Sequence, residues 1–265
     1  MIKDVKRIVV KVGTSSLTYD TGRLNLRRIR TLAEVLSDLM NSGVQVALVS
    51  SGAIGVGAAK LGLKNRPTDT PGRQAAATVG QCELMFVYDK MFGEYGHNVG
   101  QLLITRSDVE NAERRENLIN CFEKLFEYNA IPVINENDSV AVEEIVYGDN
   151  DNLSAQVAKL VGADALLILS DIDGFFSANP AEDENAVLIP VVDRIDETLL
   201  HMAGPSVSHL GTGGMATKLG AAQLATTSGI DTFIMNGSNP EDIYRLLDGR
   251  QVGTHFKRQG DDNHA

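Results

Sequence analysis

Two rhythms of apolar and polar positions replace each other along this chain. Short runs of β-branched and aliphatic residues, such as 7–12 (RIVVKV) and 45–50 (QVALVS), have the length of strands and end at Gly/Ser-rich turns. Between them the apolar residues recur every third or fourth position. Asn25 opens one such stretch, Leu26, Ile29, Leu32, Leu36 and Leu39 line it, and Gly43 closes it. The same reading predicts helices over 73–95, 112–128, 152–161 and 240–247, and one opened by the glycine cluster 210–218 that runs to about 228. It predicts strands over 98–103, 131–134, 165–169, 188–192, 232–235 and 253–256, with a hairpin and acidic loop over 174–185. Strand and helix alternate throughout without internal repeats. That pattern predicts one α/β domain over residues 1–257, an αβα sandwich around a mostly parallel sheet, followed by a polar, frayed tail at 258–265.

The pattern breaks most sharply at 131–155. The apolar run 131–134 stops at Asn135, and polar side chains arrive in two bursts, Asn135-Glu136-Asn137-Asp138 and Asp149-Asn150-Asp151-Asn152. Solvated turns use the same residue types. These bursts, however, fall at a strand end and a helix start, where open α/β sheets hold their ligands. Three glycine-rich turns lie at similar strand-to-helix junctions: 13–16, 51–57 and 211–218. The amides of such turns suit an anion, although close packing is an equally good reason for the glycines. Lys11 lies inside an apolar strand and must reach the sheet's end or find a counter-charge. The Pro/Gly-rich stretch 62–72 reads as a flexible flap.

Composition narrows the function classes. The 265 residues are 43% apolar, enough for one large core. Twenty-four basic against thirty-five acidic residues give a net charge of −11, which argues against nucleic acid or an anionic membrane as the main partner. The apolar runs are too short to span a bilayer, and the first residues carry charges rather than a secretory core, so a cytoplasmic protein is expected. Cys82 and Cys121 lack CxxC spacing and read as reduced, buried small hydrophobes. The five histidines never pair at metal-ligand spacing, so no residue is assigned to a structural metal.

Glycine-rich turns, two lysines and an acidic cluster together suit a Mg-nucleotide. No GxxxxGK[ST] motif occurs, so the chain is not a P-loop protein. Phosphoryl transfer needs charge neutralised on the moving group, which Lys11 and Lys218 can supply with Asp151 holding both ammonium groups.

Five motifs carry a resemblance at this point: VVKVGTSSL (9–17), VSSGAIGVG (49–57), VINENDSV (133–140), GDNDNLSA (148–155) and GTGGMATK (211–218). In this order and spacing they resemble the amino acid kinase family over residues 5–257. NEND followed by GDNDNLSA is narrower and resembles the members that phosphorylate glutamate. The resemblance implies the amino acid kinase fold and ATP-dependent transfer to the γ-carboxylate of L-glutamate, with Mg²⁺. It implies Lys11 and Lys218 flanking the transferred phosphoryl and Asp151 orienting them. Ser51, Gly52, Ala53, Asn135, Asp138 and Asn150 are implied on glutamate. Lys11, Gly13, Thr14, Ser170, Asp171 and Thr212, Gly213, Gly214, Met215, Ala216, Thr217 and Lys218 are implied on ATP. It further implies feedback inhibition by proline and a homo-oligomer, dimer or tetramer. Many bacterial members carry an added C-terminal PUA domain, whereas this sequence stops at the kinase domain.

The residue choice agrees with that chemistry. A carboxylate of pKa about 4.3 is already a nucleophile at neutral pH, so no general base is needed. The acyl phosphate product is hydrolysis-prone, which predicts that the 62–72 loop or a neighbour covers the site. The rival readings are another acceptor, namely N-acetylglutamate, aspartate, carbamate or a nucleoside monophosphate, and a non-catalytic sensor of amino acid or nucleotide.

Overall fold

A computed structural model describes residues 5–140, 150–202 and 214–260. In chain order the elements are β1 (Arg7–Val12), α1 (Thr14–Leu17), α2 (Leu26–Asn41), β2 (Gln45–Ser50), α3 (Ala53–Lys60), α4 (Thr70–Gly93), β3 (Val99–Ile104), α5 (Arg106–Glu110) and α6 (Ala112–Glu127). There follow β4 (Ile131–Glu136), α7 (Asn150–Leu160), β5 (Ala165–Ser170), β6 (Val191–Val192), α8 (Glu197–Met202), α9 (Met215–Thr227), β7 (Asp231–Asn236), α10 (Asp242–Leu247) and β8 (Thr254–Phe256).

The strands form one eight-stranded sheet in the order β3-β4-β2-β1-β5-β7-β8-β6, parallel except where β8 runs against β7. Two cores follow from strand alternation. Ile8, Val10, Val12, Val46 and Leu48 face one side and pack with α2, α3, α4 and α10. Val9, Ala47, Val49, Leu166 and Ile168 face the other side, with α6, α7 and α9. Lys11 shares the parity of Val9, so it points toward α7 and α9. Parallel strands align their carboxyl ends, and Gly13, Ser51, Asn135, Ser170 and Gly237 therefore gather along one edge of the sheet.

The crossing of α3 and α4 is set by two glycines. A Cβ at Gly57 would stand 1.8 Å from the carbonyl oxygen of Ala76, and one at Gly80 would stand 1.8 Å from that of Ala53. The helices meet backbone to backbone, which brings the inner face of α4 up to β2 and β4.

The sequence reading holds for the alternation and for most elements, with differences at several ends. β4 runs to Glu136, past the polar break, because its last residues still pair with β3. α7 begins at Asn150 and α4 at Thr70, the latter capped by Asp69, whose carboxylate accepts from Gly72 N–H. The short helices α5 and α8 were not expected. The strand foreseen over 188–192 shrinks to Val191–Val192, and the hairpin foreseen over 174–185 closes further along, where 175–177 pairs antiparallel with 187–189 around the Phe176–Leu188 bridge. Cys82 and Cys121 are exposed, not buried, since each lies on the outer face of its helix. The start of the tail is tied down: Arg258 N–H donates to Asp231 and Gln259 N–H to the carbonyl of Thr226. Among the described residues, no helix is long and apolar enough to cross a membrane.

Candidate active site

Lys11 is the penultimate residue of the central strand β1, and its Nζ lies 2.5 Å from Oδ1 of Asp151. Asp151 is in the first turn of α7, where a negative charge suits the helix dipole, and it is completely buried. Its other oxygen, Oδ2, lies 3.2 Å from Nζ of Lys218 in the first turn of α9. A cation so near a helix N-terminus opposes the dipole, and no acidic residue of α9's own first turn compensates it. Asp151 supplies that compensation from the neighbouring helix. Both lysines are themselves buried. Two positive charges and one negative charge thus meet out of water, leaving a net positive site inside a protein of net charge −11.

The nucleotide residues named from the sequence surround this triad in part. Gly13 caps α1 at the end of β1, beside the Lys11 ammonium, which a Cβ there would meet at an ordinary contact distance of 3.8 Å. Thr14 opens α1. Ser170 is buried at the end of β5, and its hydroxyl donates to exposed Asp171. Gly214 caps α9, and Met215, Ala216, Thr217 and Lys218 form its first turn, with the Thr217 hydroxyl donating to the Gly214 carbonyl. Thr212 and Gly213 lie outside the described residues, as do Asp149 and the 141–147 segment between the polar bursts.

The acceptor residues form a second cluster beside the first. Nδ2 of Asn150 donates to the Ser50 carbonyl (3.0 Å), Oγ of Ser51 (2.9 Å) and Oδ1 of Asn135 (2.9 Å). Gly52 turns the chain in the left-handed region (φ 99°), which glycine tolerates, and Ala53 begins α3. Asp138 stands beyond the end of β4. Burial pushes its carboxyl upward against the opposing charge of Arg73. Burial, then repulsion from Asp138, pushes neighbouring Glu136 up to about 7, with Arg73 again opposing.

Three contributors escaped the sequence reading. Oε1 of Gln81 on α4 accepts from Nδ2 of Asn135 at 3.0 Å, both groups being buried. One helical face further along, the Tyr88 hydroxyl bonds that of Ser50 at 2.8 Å. Arg73, on the first turns of the same helix, faces Glu136 and Asp138. The available signal was the inward stripe Ala77, Leu84, Tyr88, which a polar Gln81 interrupts. In the 62–72 loop, exposed Arg66 lies against Gly55, where a Cβ would stand 2.8 Å from its guanidinium.

The site fits a Mg-nucleotide through its buried ammonium groups and the glycine turn beside them. Both Asp151 oxygens already face lysines, so this carboxylate is engaged as a holder of charge rather than offered as a metal ligand. No group of three or more His, Cys, Asp or Glu suited to a metal occurs among the described residues.

Comparison with known proteins identifies the family. The model of the amino acid kinase family matches residues 6–236. Glutamate 5-kinase of Clostridium perfringens is 51% identical over 259 residues, covering 96% of each chain. Glutamate 5-kinase of Listeria innocua is 52% identical, covering 96% of this chain and 94% of its own. Among solved structures, UMP kinase from Bacillus anthracis superposes with TM-score 0.66 at 18% identity, covering 97% of both chains. A product complex of isopentenyl phosphate kinase from T. acidophilum gives 0.65 at 18% identity, covering 95% of this chain and all of that one. At these identities the structural likeness is one of fold.

Proposed function

This chain belongs to the amino acid kinase family, and from that membership and the site geometry we propose that it transfers the terminal phosphoryl of ATP to the γ-carboxylate of L-glutamate. The product is L-glutamyl 5-phosphate, and the reaction is the first step of proline biosynthesis. The observation that carries the reading is the sharing of one fully buried carboxylate, Asp151, by two ammonium groups from separate elements.

The barrier to this reaction is chiefly the meeting of two anions. Lys11 and Lys218 offset it with positive charge that is positioned before the substrates arrive, so little reorganisation is needed as charge shifts from nucleophile to leaving group. Asp151 holds the two ammonium groups in place, one on each carboxylate oxygen. When bound with the nucleotide, Mg²⁺ would supply further neutralising charge beside Lys11 and Lys218. Gly13, Thr14, Ser170, Asp171 and the 212–218 turn hold ATP on one side of the triad. Ser51, Gly52, Ala53, Asn135, Asp138 and Asn150 hold glutamate on the other, with Asp138 facing its ammonium. No side chain needs to remove a proton, because the nucleophile is already ionised. The 62–72 loop, anchored by Arg66 on Gly55, covers the site against hydrolysis of the acyl phosphate.

The kinase domain occupies residues 1–257, with 258–265 as its tail, and the protein works in the cytoplasm. A homo-oligomer, dimer or tetramer, is supported by apolar Phe86, 65% exposed on α4. The resemblance also implies proline as feedback inhibitor.

The test is release of ADP that requires both glutamate and Mg²⁺, with hydroxylamine trapping the acyl phosphate as a hydroxamate. ADP release with N-acetylglutamate, aspartate, carbamate or a nucleoside monophosphate in place of glutamate would reassign the acceptor. ATP binding without turnover would make the chain a sensor.

A further inference from the structure

We propose that Gln81 is a positioning residue that locks the acceptor-side amides in the polarity dictated by the Ser50 carbonyl, and through them helps select a substrate carrying an ammonium group. The inference rests on the glutamate reading above and deepens it. It begins at one atom whose role is not in doubt. The backbone oxygen of Ser50 can only accept, so the Asn150 atom 3.0 Å away is the donating Nδ2. That NH₂ has two hydrogens and faces three acceptors: Ser50 O, Ser51 Oγ and Asn135 Oδ1. It is fully committed inside the protein.

The polarity then propagates. Asn135 must present Oδ1 to Asn150, so its Nδ2 points the other way, where Oε1 of Gln81 receives it at 3.0 Å. Gln81 is the last member of the relay. Its Nε2 is buried with no hydrogen-bond partner among the described residues, so the side chain serves there through its acceptor oxygen alone. A native structure seldom leaves a buried amide half satisfied, and the cost is consistent with a group retained for the orientation it imposes. The backbone contact of Gly80 with Ala53 places this side chain, one residue along α4, against β4.

The consequence is chemical. With Nδ2 spent, the Asn150 amide has only its Oδ1, an acceptor, left for a ligand. An acceptor recognises the α-ammonium of an amino acid and repels a carboxylate. Gln81 thereby contributes to choosing glutamate over glutarate, the same diacid without the amino group, although Gln81 itself need not touch the substrate. If the relay loses its end, Asn135 can turn over, Asn150 loses a fixed partner, and the acceptor edge blurs.

The experiment compares Q81M, which keeps length but removes the acceptor, with Q81E, which keeps an oxygen at the Oε1 position and gives up only an Nε2 that bonds nothing. In the full chain, the KM for glutamate, the KM for ATP, kcat, and the inhibition constant of glutarate against glutamate are measured. Loss of one well-placed hydrogen bond predicts that Q81M raises glutamate KM about tenfold while kcat, ATP KM and the glutarate constant stay within about threefold. Q81E returns glutamate KM to within about threefold of wild type. Should Q81M not fold, Q81E alone decides: a tenfold rise in its glutamate KM overturns the relay. Equal shifts for glutamate and glutarate in Q81M, or an effect confined to kcat or ATP, overturn it as well. A wild-type chain that releases no ADP with glutamate overturns this inference together with the reading beneath it, whereas an active wild type with either of the former results overturns this inference alone.

Discussion

Lys11 and Asp151 meet at 2.5 Å, one from the middle strand of the sheet and the other from the first turn of the helix laid across it. A lysine and an aspartate are both expensive to bury singly, and each offsets the other's cost here. Lys218 completes the arrangement from a second helix. The same contacts that hold α7 and α9 against the sheet therefore also hold the charge that the reaction needs.

Removing Asp151 is expected to cost both stability and rate. Asp151→Asn leaves two buried ammonium groups facing an amide. Breaking a buried ion pair on one side typically costs about 3–5 kcal/mol. For a chain of this size that lowers Tm by roughly 6 °C or more. Glutamate-dependent kcat should fall by about 10²-fold or more, as when preorganised charge is lost. Thermal denaturation and steady-state kinetics on the same sample check this; an unchanged Tm would mean that the carboxylate is not the lysines' counter-charge.

Gly80→Ala tests the α3–α4 crossing. The new Cβ would fall 1.8 Å from the Ala53 carbonyl oxygen, a contact with backbone that no side-chain rotation relieves. Overpacking of this kind costs about 1–3 kcal/mol, occasionally more. The helices must separate, and Gln81 moves with them, so glutamate KM should rise while ATP KM changes little. A variant with wild-type Tm would show that the two helices are free to slide apart.

Acid dependence follows from Glu136. Its carboxyl is lifted from 4.5 to about 7 by burial first and by Asp138 second. Between these two values the folded chain holds a proton that the unfolded chain has lost. Its contribution to stability is therefore present at low pH and lost as pH rises through about 7. The free protein should lose Tm across this window, and Glu136→Gln should flatten the loss. Binding runs the other way, because a substrate ammonium favours ionised Glu136 and Asp138. Glutamate KM should rise as pH falls below about 7, with a shallower slope in Glu136→Gln. A pH-independent KM for wild type would remove Glu136 from the acceptor side.

Asp138→Ala separates the two substrate sides. It should raise glutamate KM well beyond any change in ATP KM, by about 10-fold or more for a lost charged hydrogen bond. The opposite pattern would move this stretch to the nucleotide or its metal.

Much of this site was legible in the sequence because it breaks the local rhythm. Lys11 interrupts an apolar strand, and Asp151 and Asn150 crowd a helix start, so each needed a partner and each has one. Gln81 and Tyr88 gave a weaker signal, a single polar residue interrupting an inward stripe and a tyrosine that belongs to it. They sit on a long helix whose pattern is satisfied by Ala77 and Leu84, and only the approach of α4 to β2 and β4 shows that their polar atoms end at Asn135 and Ser50. Cys82 reads as a small hydrophobe wherever it stands; the glycine-mediated crossing of α3 and α4 decides which face of α4 turns inward. β6 was overlong in the sequence reading because it pairs only with β8 at the sheet's edge, where few ladder bonds define a strand.

The most direct test of the shared-charge account is kcat for glutamate-dependent ADP release by Lys218→Ala, measured beside the KM for glutamate. Losing one preorganised positive group predicts a fall of about 10²–10³-fold in kcat with glutamate KM within a few fold of wild type. An unchanged kcat would contradict the account, because the ammonium held 3.2 Å from Asp151 would then contribute nothing to the transfer.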